Sequence, residues 1–343
     1  MSRFAFDAVL FDLDGTPVAT ERYWPDAARS ATLEFFSERG IDRPAPSTAD
    51  WMAMVGLPLE SAFAAEFADL DPDVRTALMA ACVKEEHALL ARGSAALLPG
   101  VEDTLVQLKA AGVRLGVASN CSHDYLDVMM NGLGLARWIE EGRCLGMPGI
   151  SNKADMITDL LATFGTRSAV MVGDRPGDRD AAWVNAVPHV HIPRGYGGVQ
   201  DQIAAEAVLD GMDQLIPTLE RRDAVLREVL ERLGDARVVA VTGLPLAGKT
   251  LVARDLERLA KGAGREILIH DDRGESAKEI DARVRVEASE DALVLRAKGQ
   301  RIGPAPVEEL LDVRLPRARS EAADEPAPTV TIDATNPIVL GLR

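Results

Sequence analysis

The chain of 343 residues has little cysteine and no long apolar run. Its three cysteines, Cys82, Cys121 and Cys144, form no Cys-x-x-Cys pair, and no histidine lies at metal-ligand spacing from them. We therefore expect a reduced, cytoplasmic compartment. No stretch approaches the ~20 apolar residues that span a bilayer, so we expect no membrane partner. The first strand pattern begins so close to Met1 that we expect no signal peptide.

Positive charge is also scarce, with 38 Lys and Arg residues against 54 Asp and Glu residues and a formal net charge of −16. Nucleic acids are bound by cationic surfaces, so a polynucleotide partner is not expected. Small phosphorylated ligands are compatible with this charge, because a metal ion or a helix N-terminus holds a phosphate locally. The length is sufficient for two domains, each with its own core.

Apolar strands alternate with helical segments along the chain, which predicts an α/β fold. A long helical stretch follows the first strand before the alternation returns. We predict a Rossmann-like parallel sheet core formed by residues 1–16 and 98–220, with an α-helical cap inserted over 17–97. An amphipathic linker helix is predicted over 221–234, and a second, smaller α/β domain over 235–343.

The most informative pattern is a pair of acids, Asp12 and Asp14, which follows the apolar run 8–11 with only Leu13 between the two acids. Open parallel sheets build their sites at the carboxyl ends of strands, and Gly15 lets the chain turn away there. Two acids two residues apart can divide the work of a site. One of them attacks or holds a metal while the other moves protons.

Polar residues also end later apolar strands, since Ser119 and Asp174 do so and Lys153 opens a helix between them. Together these features resemble the haloacid dehalogenase superfamily, in the branch that has a helical cap between the first two motifs. The matching stretches are Asp-Leu-Asp-Gly-Thr at 12–16, Val-Ala-Ser-Asn at 117–120, Lys153, and Gly-Asp-Arg-Pro-Gly-Asp at 173–178. Within the cap, Val-Gly-Leu-Pro-Leu at 55–59 is similar to phosphoglycolate and sugar-phosphate phosphatases.

The resemblance implies a Mg²⁺-dependent phosphomonoester hydrolase that acts on a small phosphorylated metabolite. In that scheme Asp12 attacks phosphorus to form an aspartyl-phosphate, and Asp14 protonates the leaving alcohol and then activates water. Ser119 and Asn120 bind the phosphoryl group, and Lys153 offsets its charge in the transition state. The implied Mg²⁺ ligands are Asp12, the Asp14 carbonyl, Asp174 and Asp178. A mutase remains an alternative, because phosphohexomutases share both acids and the cap.

A second motif lies at 243–250, where Gly-Leu-Pro-Leu-Ala-Gly-Lys-Thr fits the pattern G-x-x-x-x-G-K-[ST] between a strand and a helix. The backbone N–H groups of such a loop cradle phosphates at the helix N-terminus. Gly243 and Gly248 shape the loop, Lys249 reaches the β- and γ-phosphates, and Thr250 coordinates Mg²⁺. The motif predicts a bound nucleotide, ATP or GTP.

The remainder of this region resembles small P-loop kinases in abridged form. A strand pattern ends at Asp271 and Asp272, where the resemblance implies an acid that acts on an acceptor hydroxyl. Arg296 or Arg301 is expected near the phosphates. Only nine residues separate Asp272 from the strand that begins at Ala282, and no apolar strand ending in Asp fills that interval.

Three functions stay open at this point. The first is a phosphatase with a P-loop accessory domain. The second is a bifunctional phosphatase–kinase, either of a small molecule or, by analogy with end-healing enzymes, of a polynucleotide, against which the acidic charge counts. The third is a phosphatase gated by a nucleotide-sensing domain.

Overall fold

The computed structural model describes residues 4–194, 196, 198, 203, 205–271, 280–299, 307–322 and 326–343, which form two β-sheets. The first sheet contains β1 (Ala8–Phe11), β2 (Arg114–Ser119), β3 (Glu141–Cys144), β4 (Ala169–Gly173), β5 (His189–His191) and β6 (Ala207–Val208). Its strands are parallel and lie in the order β3-β2-β1-β4-β5-β6. The strand order diverges on either side of β1, so its carboxyl end is where an open sheet forms a crevice.

A helical insertion lies between β1 and β2, as the sequence predicts. Its helices are α1 (Trp24–Arg39), α2 (Thr48–Met54), α3 (Leu59–Glu66) and α4 (Pro72–Ala91). Four rings pack at its centre with ring centroids 5.3–5.9 Å apart where they touch: Trp24, Trp51, Phe63 and Phe67. A backbone bridge between Val18 and Leu97 joins the two ends of the insertion. The insertion therefore has its own core and is attached through a paired hinge.

The other helices of the first unit connect its strands. They are α5 (Val101–Ala110), α6 (His123–Gly132), α7 (Lys153–Phe164) and α8 (Pro176–Val184). The Asn152 side chain caps α7 by accepting a hydrogen bond from the Asp155 N–H at 3.1 Å, which makes Lys153 the first helical residue. Pro176 starts α8 directly after β4, in the position where proline favours a helix.

A single helix, α9 (Leu215–Arg232), crosses the predicted boundary at 220/221. The prediction of a separate linker helix over 221–234 is therefore wrong in its start. Apolar side chains at Leu215, Ile216 and Leu219 continue the buried stripe of Leu226 and the residues after it, so the chain has no reason to break there.

A second sheet follows α9. It contains β7 (Val238–Thr242), β8 (Leu268–Asp271), β9 (Ala282–Glu287), β10 (Val330–Asp333) and β11 (Gly341–Leu342) in the order β11-β10-β9-β7-β8. All pairings are parallel except that of β10 with β11. The accompanying helices are α10 (Lys249–Gly262), α11 (Glu290–Gly299), α12 (Val307–Glu309) and α13 (Leu315–Ala322). No helix in the described ranges is both long and apolar enough to cross a membrane.

Buried charges join the two sheets. Arg222 of α9 forms an ion pair with Asp255 of α10, and neither side chain is exposed. Asp255 also accepts a hydrogen bond from Ser168 at 3.2 Å, and Asp223 accepts one from the Ala5 N–H at 2.9 Å. Ser168 and Ala5 precede β4 and β1, so this contact lies at the amino edge of the first sheet, opposite the crevice.

Candidate active site

The first acidic motif lies at the carboxyl end of β1. The Asp12 N–H donates to the Val172 carbonyl of β4 at 2.9 Å, which continues the sheet by one residue and buries the Asp12 side chain completely. Gly15 has φ +76°, and a Cβ at this position would lie 2.5 Å from Asp174 Oδ2. Only glycine accommodates this turn so close to the Asp174 carboxylate.

Three carboxylates converge at the ends of two strands. One oxygen each of Asp12, Asp174 and Asp178 lies within 4.8 Å of the others, and all three side chains are buried. Asp178 is fixed because its Oδ2 accepts the Arg175 N–H at 2.9 Å. Lys153 Nζ donates to Asp12 Oδ1 at 2.7 Å and to Asp178 Oδ1 at 2.5 Å. Three of the four sequence-predicted acids therefore form one cluster with the predicted lysine.

The cluster carries more negative than positive charge. Burial raises the pKa of Asp12 to about 7, and repulsion from Asp178 adds to this against the opposing pull of Lys153. Burial and the Asp12 charge also raise the pKa of Asp174 well above its ordinary value. Burial alone would lower the pKa of Lys153, but Asp12 and Asp178 raise it. One ammonium does not balance three carboxylates, and an additional cation would relieve their repulsion.

Two carboxylate oxygens of the cluster are left open. Within the described residues, Asp12 Oδ2 and Asp174 Oδ2 are buried and have no hydrogen-bond partner. Buried acceptors normally have partners, and clustered carboxylate oxygens are the ligands that hard divalent cations prefer. The donor set of Asp12, Asp174 and Asp178 therefore fits a cation such as Mg²⁺.

Asp14 occupies a different environment. Its Oδ1 accepts hydrogen bonds from Thr20 Oγ1 at 2.7 Å and from the Tyr125 hydroxyl at 2.5 Å. The Tyr23 hydroxyl contacts the Tyr125 hydroxyl in turn. Burial raises the pKa of Asp14, while the bonds from Tyr125 and Thr20 act in the opposite direction. The two acids of the motif are thus held by separate groups.

Ser119 and Asn120 lie at the end of β2 on the other side of β1. Ser119 is buried, and the Asn120 amide donates to the Gly56 carbonyl of the insertion at 2.9 Å. After the end of β4, Arg175 Nη2 donates to the Ala53 carbonyl at 2.9 Å. These two bonds attach the insertion loop to both strand ends that flank the site.

The glycine-rich loop of the second unit follows β7, as predicted. Gly243 has φ +140°, and a Cβ there would collide with the carbonyl oxygen of Val286. Gly248 has φ +96° and precedes the first residue of α10. Lys249 Nζ donates to the carbonyls of Gly243 at 2.7 Å and Leu244 at 3.2 Å, so the lysine lies over its own loop. Thr250 follows in the first turn of α10.

The other residues predicted from the resemblance to kinases lie in α11, in β8 and outside the described ranges. Arg296 donates to the carbonyls of Leu246 in the glycine-rich loop and of Ala334 and Thr335. Its expected place near phosphates stays a prediction. The backbone register pairs Asp271 with Val241, at the end of the strand next to β7. Asp272 and Arg301 lie outside the described residues.

Sequence reasoning missed Thr20, Tyr23 and Tyr125 around Asp14, and the role of Arg175 in holding the insertion. Thr20 and Tyr23 follow the acidic motif within ten residues, so their hydroxyl groups in the hinge segment were the available signal. Tyr125 comes from α6, 111 residues beyond Asp14, and no local pattern indicates their contact.

A parallel sheet with a helical insertion after its first strand and buried acids at its strand ends defines the class of protein. The chain belongs to the haloacid dehalogenase-like hydrolase family, whose model matches residues 9–190. Within this family it is a phosphoric monoester hydrolase, as the sequence predicts.

Similar proteins include phosphoglycolate phosphatase of Caulobacter vibrioides, which is 31% identical over 195 residues, or 55% of this chain and 79% of that protein. Tyrosine-protein kinase PtkA of Mycobacterium tuberculosis is 26% identical over 230 residues, or 66% of this chain and 72% of that protein. The crystal structure of a predicted phosphoglycolate phosphatase from Haemophilus somnus matches with a TM-score of 0.54 and 22% identity, covering 63% of this chain and 98% of that one. At 22% identity, the similarity to the Haemophilus somnus structure shows a shared fold alone.

Proposed function

We propose that the protein is a Mg²⁺-dependent phosphatase that hydrolyses a small phosphorylated metabolite through an aspartyl-phosphate on Asp12. The observation that carries this proposal is the convergence of Asp12, Asp174 and Asp178 with Lys153 at one strand edge. The relative named phosphoglycolate phosphatase supports a small phosphorylated substrate.

Mg²⁺ would be held by Asp12, Asp174 and Asp178, with the Asp14 carbonyl as a further ligand. The open oxygens Asp12 Oδ2 and Asp174 Oδ2 support this assignment. When bound, the ion would neutralise the carboxylates and the phosphoryl oxygens, so that two negatively charged groups can approach each other.

The reaction divides between the two acids of the first motif. Asp12 attacks phosphorus, the bond from phosphorus to the leaving oxygen breaks, and Asp14 gives its proton to that oxygen. Asp14 then takes a proton from water, which attacks the same phosphorus and releases phosphate and Asp12. Separate surroundings suit separate roles, because Asp12 is paired with Lys153 whereas Asp14 is bonded to neutral hydroxyls.

Ser119 and Lys153 would bind the phosphoryl group at this stage. Ser119 is buried beside β1, and Lys153 already lies 2.7 Å from Asp12. A cation and a hydroxyl fixed before substrate arrives stabilise the charge that develops on the phosphoryl oxygens. Asn120, bonded to Gly56, would act on substrate only after that contact opens.

The test is phosphate release from 4-nitrophenyl phosphate with Mg²⁺. Asp12→Asn keeps the side-chain size but removes the nucleophile, and we expect a loss of about 10⁴-fold or more. Asp103→Asn, an exposed change on α5, is the matched control and should behave as wild type. Phosphate release by Asp12→Asn at the wild-type rate would contradict the proposal.

A screen of sugar phosphates, phosphorylated acids, nucleotides and 3′-phosphorylated oligonucleotides would identify the substrate. Release of inorganic phosphate supports a hydrolase. Conversion of a sugar phosphate into its isomer without phosphate release would establish the mutase alternative instead.

The second unit is proposed to bind ATP or GTP through Gly243, Gly248, Lys249 and Thr250. The loop lies between β7 and α10, and its two glycines have backbone conformations that favour glycine, which supports a phosphate-binding loop. The Lys249 ammonium, which now bonds to loop carbonyls, would turn to the phosphates of the nucleotide.

One observation favours gating of the phosphatase by this nucleotide. Arg296 of α11 binds the Leu246 carbonyl of the loop, and α11 packs against α8, whose first turn carries Asp178. Arg296 also attracts Glu206, which accepts a hydrogen bond from Trp183 of α8 at 3.1 Å. A nucleotide that moves the loop would thus act on the helix that holds a metal ligand.

Gating requires the rate of 4-nitrophenyl phosphate hydrolysis to change with ATP or GTP. The change should disappear in Lys249→Ala. A wild-type hydrolysis rate that is the same with and without ATP or GTP would exclude gating.

Kinase activity is tested with labelled ATP on a panel of metabolites and oligonucleotides. A tyrosine-containing protein belongs in the panel, because one relative is named a tyrosine-protein kinase. No transfer to any acceptor would exclude the kinase.

A further inference from the structure

The surroundings of Asp14 contain two tyrosines that the reaction scheme does not use. Tyr125, on α6, donates to Asp14 Oδ1 at 2.5 Å. Tyr23, at the start of the insertion, contacts the Tyr125 hydroxyl and also interacts with the Thr20 hydroxyl. Both rings are buried, Tyr23 at 1% and Tyr125 at 6% exposure. Buried hydroxyls that bond to one another and to a carboxylate form a defined network.

The protons of this network can be assigned. A tyrosine hydroxyl has one proton to donate, and that of Tyr125 is directed to Asp14. Thr20 directs its own proton to the same oxygen. Tyr23 is therefore the donor in its contact with Tyr125, and its hydroxyl orients the one that bonds to Asp14. Burial raises the pKa of both tyrosines, which keeps these donors protonated.

The arrangement distinguishes the two oxygens of Asp14. Oδ1 accepts two short hydrogen bonds from fixed donors, and a proton placed there would displace one of them. Oδ2 is therefore the atom that can carry the proton. A carboxyl group whose rotation is fixed transfers a proton over a defined path, which is where general acid catalysis gains its rate.

We propose that Tyr125, supported by Tyr23, is a positioning residue that holds Asp14 with Oδ1 occupied and Oδ2 directed to the leaving-group oxygen. The inference rests on the proposed function, in which Asp14 is the acid. Because Tyr23 belongs to the insertion and Tyr125 to α6, the orientation of the acid also depends on the insertion being in place.

The test compares two leaving groups in the first chemical step. Nitrophenolate leaves without a proton, whereas the alkoxide of glycerol 2-phosphate needs one. In Tyr125→Phe, which retains the ring, we expect the rate of phosphoenzyme formation in a rapid acid quench to fall about 10-fold or more with glycerol 2-phosphate. It should fall less than about 3-fold with 4-nitrophenyl phosphate. Tyr23→Phe should show the same selectivity with a smaller loss.

Thr32→Val is the matched control. It removes a buried hydroxyl of the insertion that lies 3.6 Å from Cys82 Sγ and has no hydrogen bond to Asp14 or to either tyrosine among the described contacts, so both rates should stay unchanged. Equal losses with the two substrates, or no loss with either, would overturn the positioning role. Where Tyr125→Phe unfolds, as judged by thermal unfolding, the selectivity of Tyr23→Phe decides.

Asp14→Asn separates this inference from the proposed function. If Asp14→Asn leaves the glycerol 2-phosphate step intact, Asp14 is not the acid and the proposed function is wrong. If Asp14→Asn suppresses that step while both tyrosine variants match wild type, only the positioning inference is wrong.

Discussion

Two loops in this molecule follow buried parallel strands and carry motifs for phosphate chemistry, yet they are built differently. The loop after β1 is surrounded by side chains from four other parts of the first unit, including Lys153, Asp174, Asp178 and Tyr125. The loop after β7 is held largely by bonds to its own carbonyls, from Lys249 and Arg296.

The difference shows what separates a binding motif from a reaction site. Phosphoryl transfer needs a nucleophile, a proton carrier and balancing charges at fixed positions, and one loop cannot supply them all. The switch point of the first sheet brings several strand ends together, and it places three carboxylates beside a lysine. At the second loop, β9 and β8 flank β7, and within the described residues no group of three or more metal-binding side chains lies there, so binding is better supported than transfer.

A large effect on both activity and stability is expected at Lys153. Lys153→Met removes the one ammonium that pairs with Asp12 and Asp178, and we expect phosphate release to fall about 10²–10³-fold. The metal-free variant should also lose about 3 kcal/mol of unfolding free energy, because buried carboxylates remain without their cation. Lys109→Met, an exposed lysine on α5, is the control. Wild-type activity in Lys153→Met would mean that the charged side chains around the first loop are not needed for phosphate release.

The contact between the two units is expected to be at least as important for stability. Arg222→Met leaves Asp255 buried without its partner, so urea denaturation should show a loss of about 3–5 kcal/mol. Arg232→Met removes a similar ion pair on the exposed end of the same helix and should cost less than about 1 kcal/mol. Equal small effects would mean that the buried pair does not couple the units.

A pair of glycine substitutions compares the loops directly. Gly15→Ala forces a Cβ against Asp174, whereas Gly243→Ala forces one against the Val286 backbone, and both positions have positive φ. We expect each to cost about 2 kcal/mol or more in unfolding free energy. Only Gly15→Ala should abolish phosphate release by the folded protein. Gly262→Ala, which has open space around its Cβ, should be neutral or slightly stabilising.

A change of pH is expected to have a smaller effect on the unfolding free energy. The pKa of Asp12 is raised to about 7 from its ordinary value of 3.8, so its contribution to the stability of the metal-free protein is present below about pH 4 and is lost as pH rises through 7. Mg²⁺ should therefore stabilise the protein more at pH 8 than at pH 5, as measured by urea denaturation with and without EDTA. Asp12→Asn should flatten both trends, and an unchanged slope would contradict the assignment.

The sequence was most informative where the chemistry is local to a strand end. Asp12, Lys153 and Asp174 stand out in the sequence because an apolar strand or a helix start adjoins each of them, and the fold brings these three side chains into one cluster. Their convergence follows from parallel strand order, which alternating patterns predict.

The remainder depends on contacts between distant parts of the chain. Tyr125 donates to Asp14 although 111 residues separate them in the chain. Arg296 donates to backbone carbonyls of two separate loops. On α9, Arg222 packs against the Phe6 ring of the first unit and forms an ion pair with Asp255 of the second. Packing of this kind has no periodic signal in the sequence.

The central claim is that Asp12 forms a covalent bond to phosphorus. The most direct measurement is acid quench of the enzyme during turnover of a ³²P-labelled phosphomonoester, followed by counting of label on the denatured protein. The account predicts label on the wild-type chain that hydroxylamine releases, as expected for an acyl phosphate, and none on Asp12→Asn. Turnover by the wild type without any label on the protein, or equal label on Asp12→Asn, would contradict it.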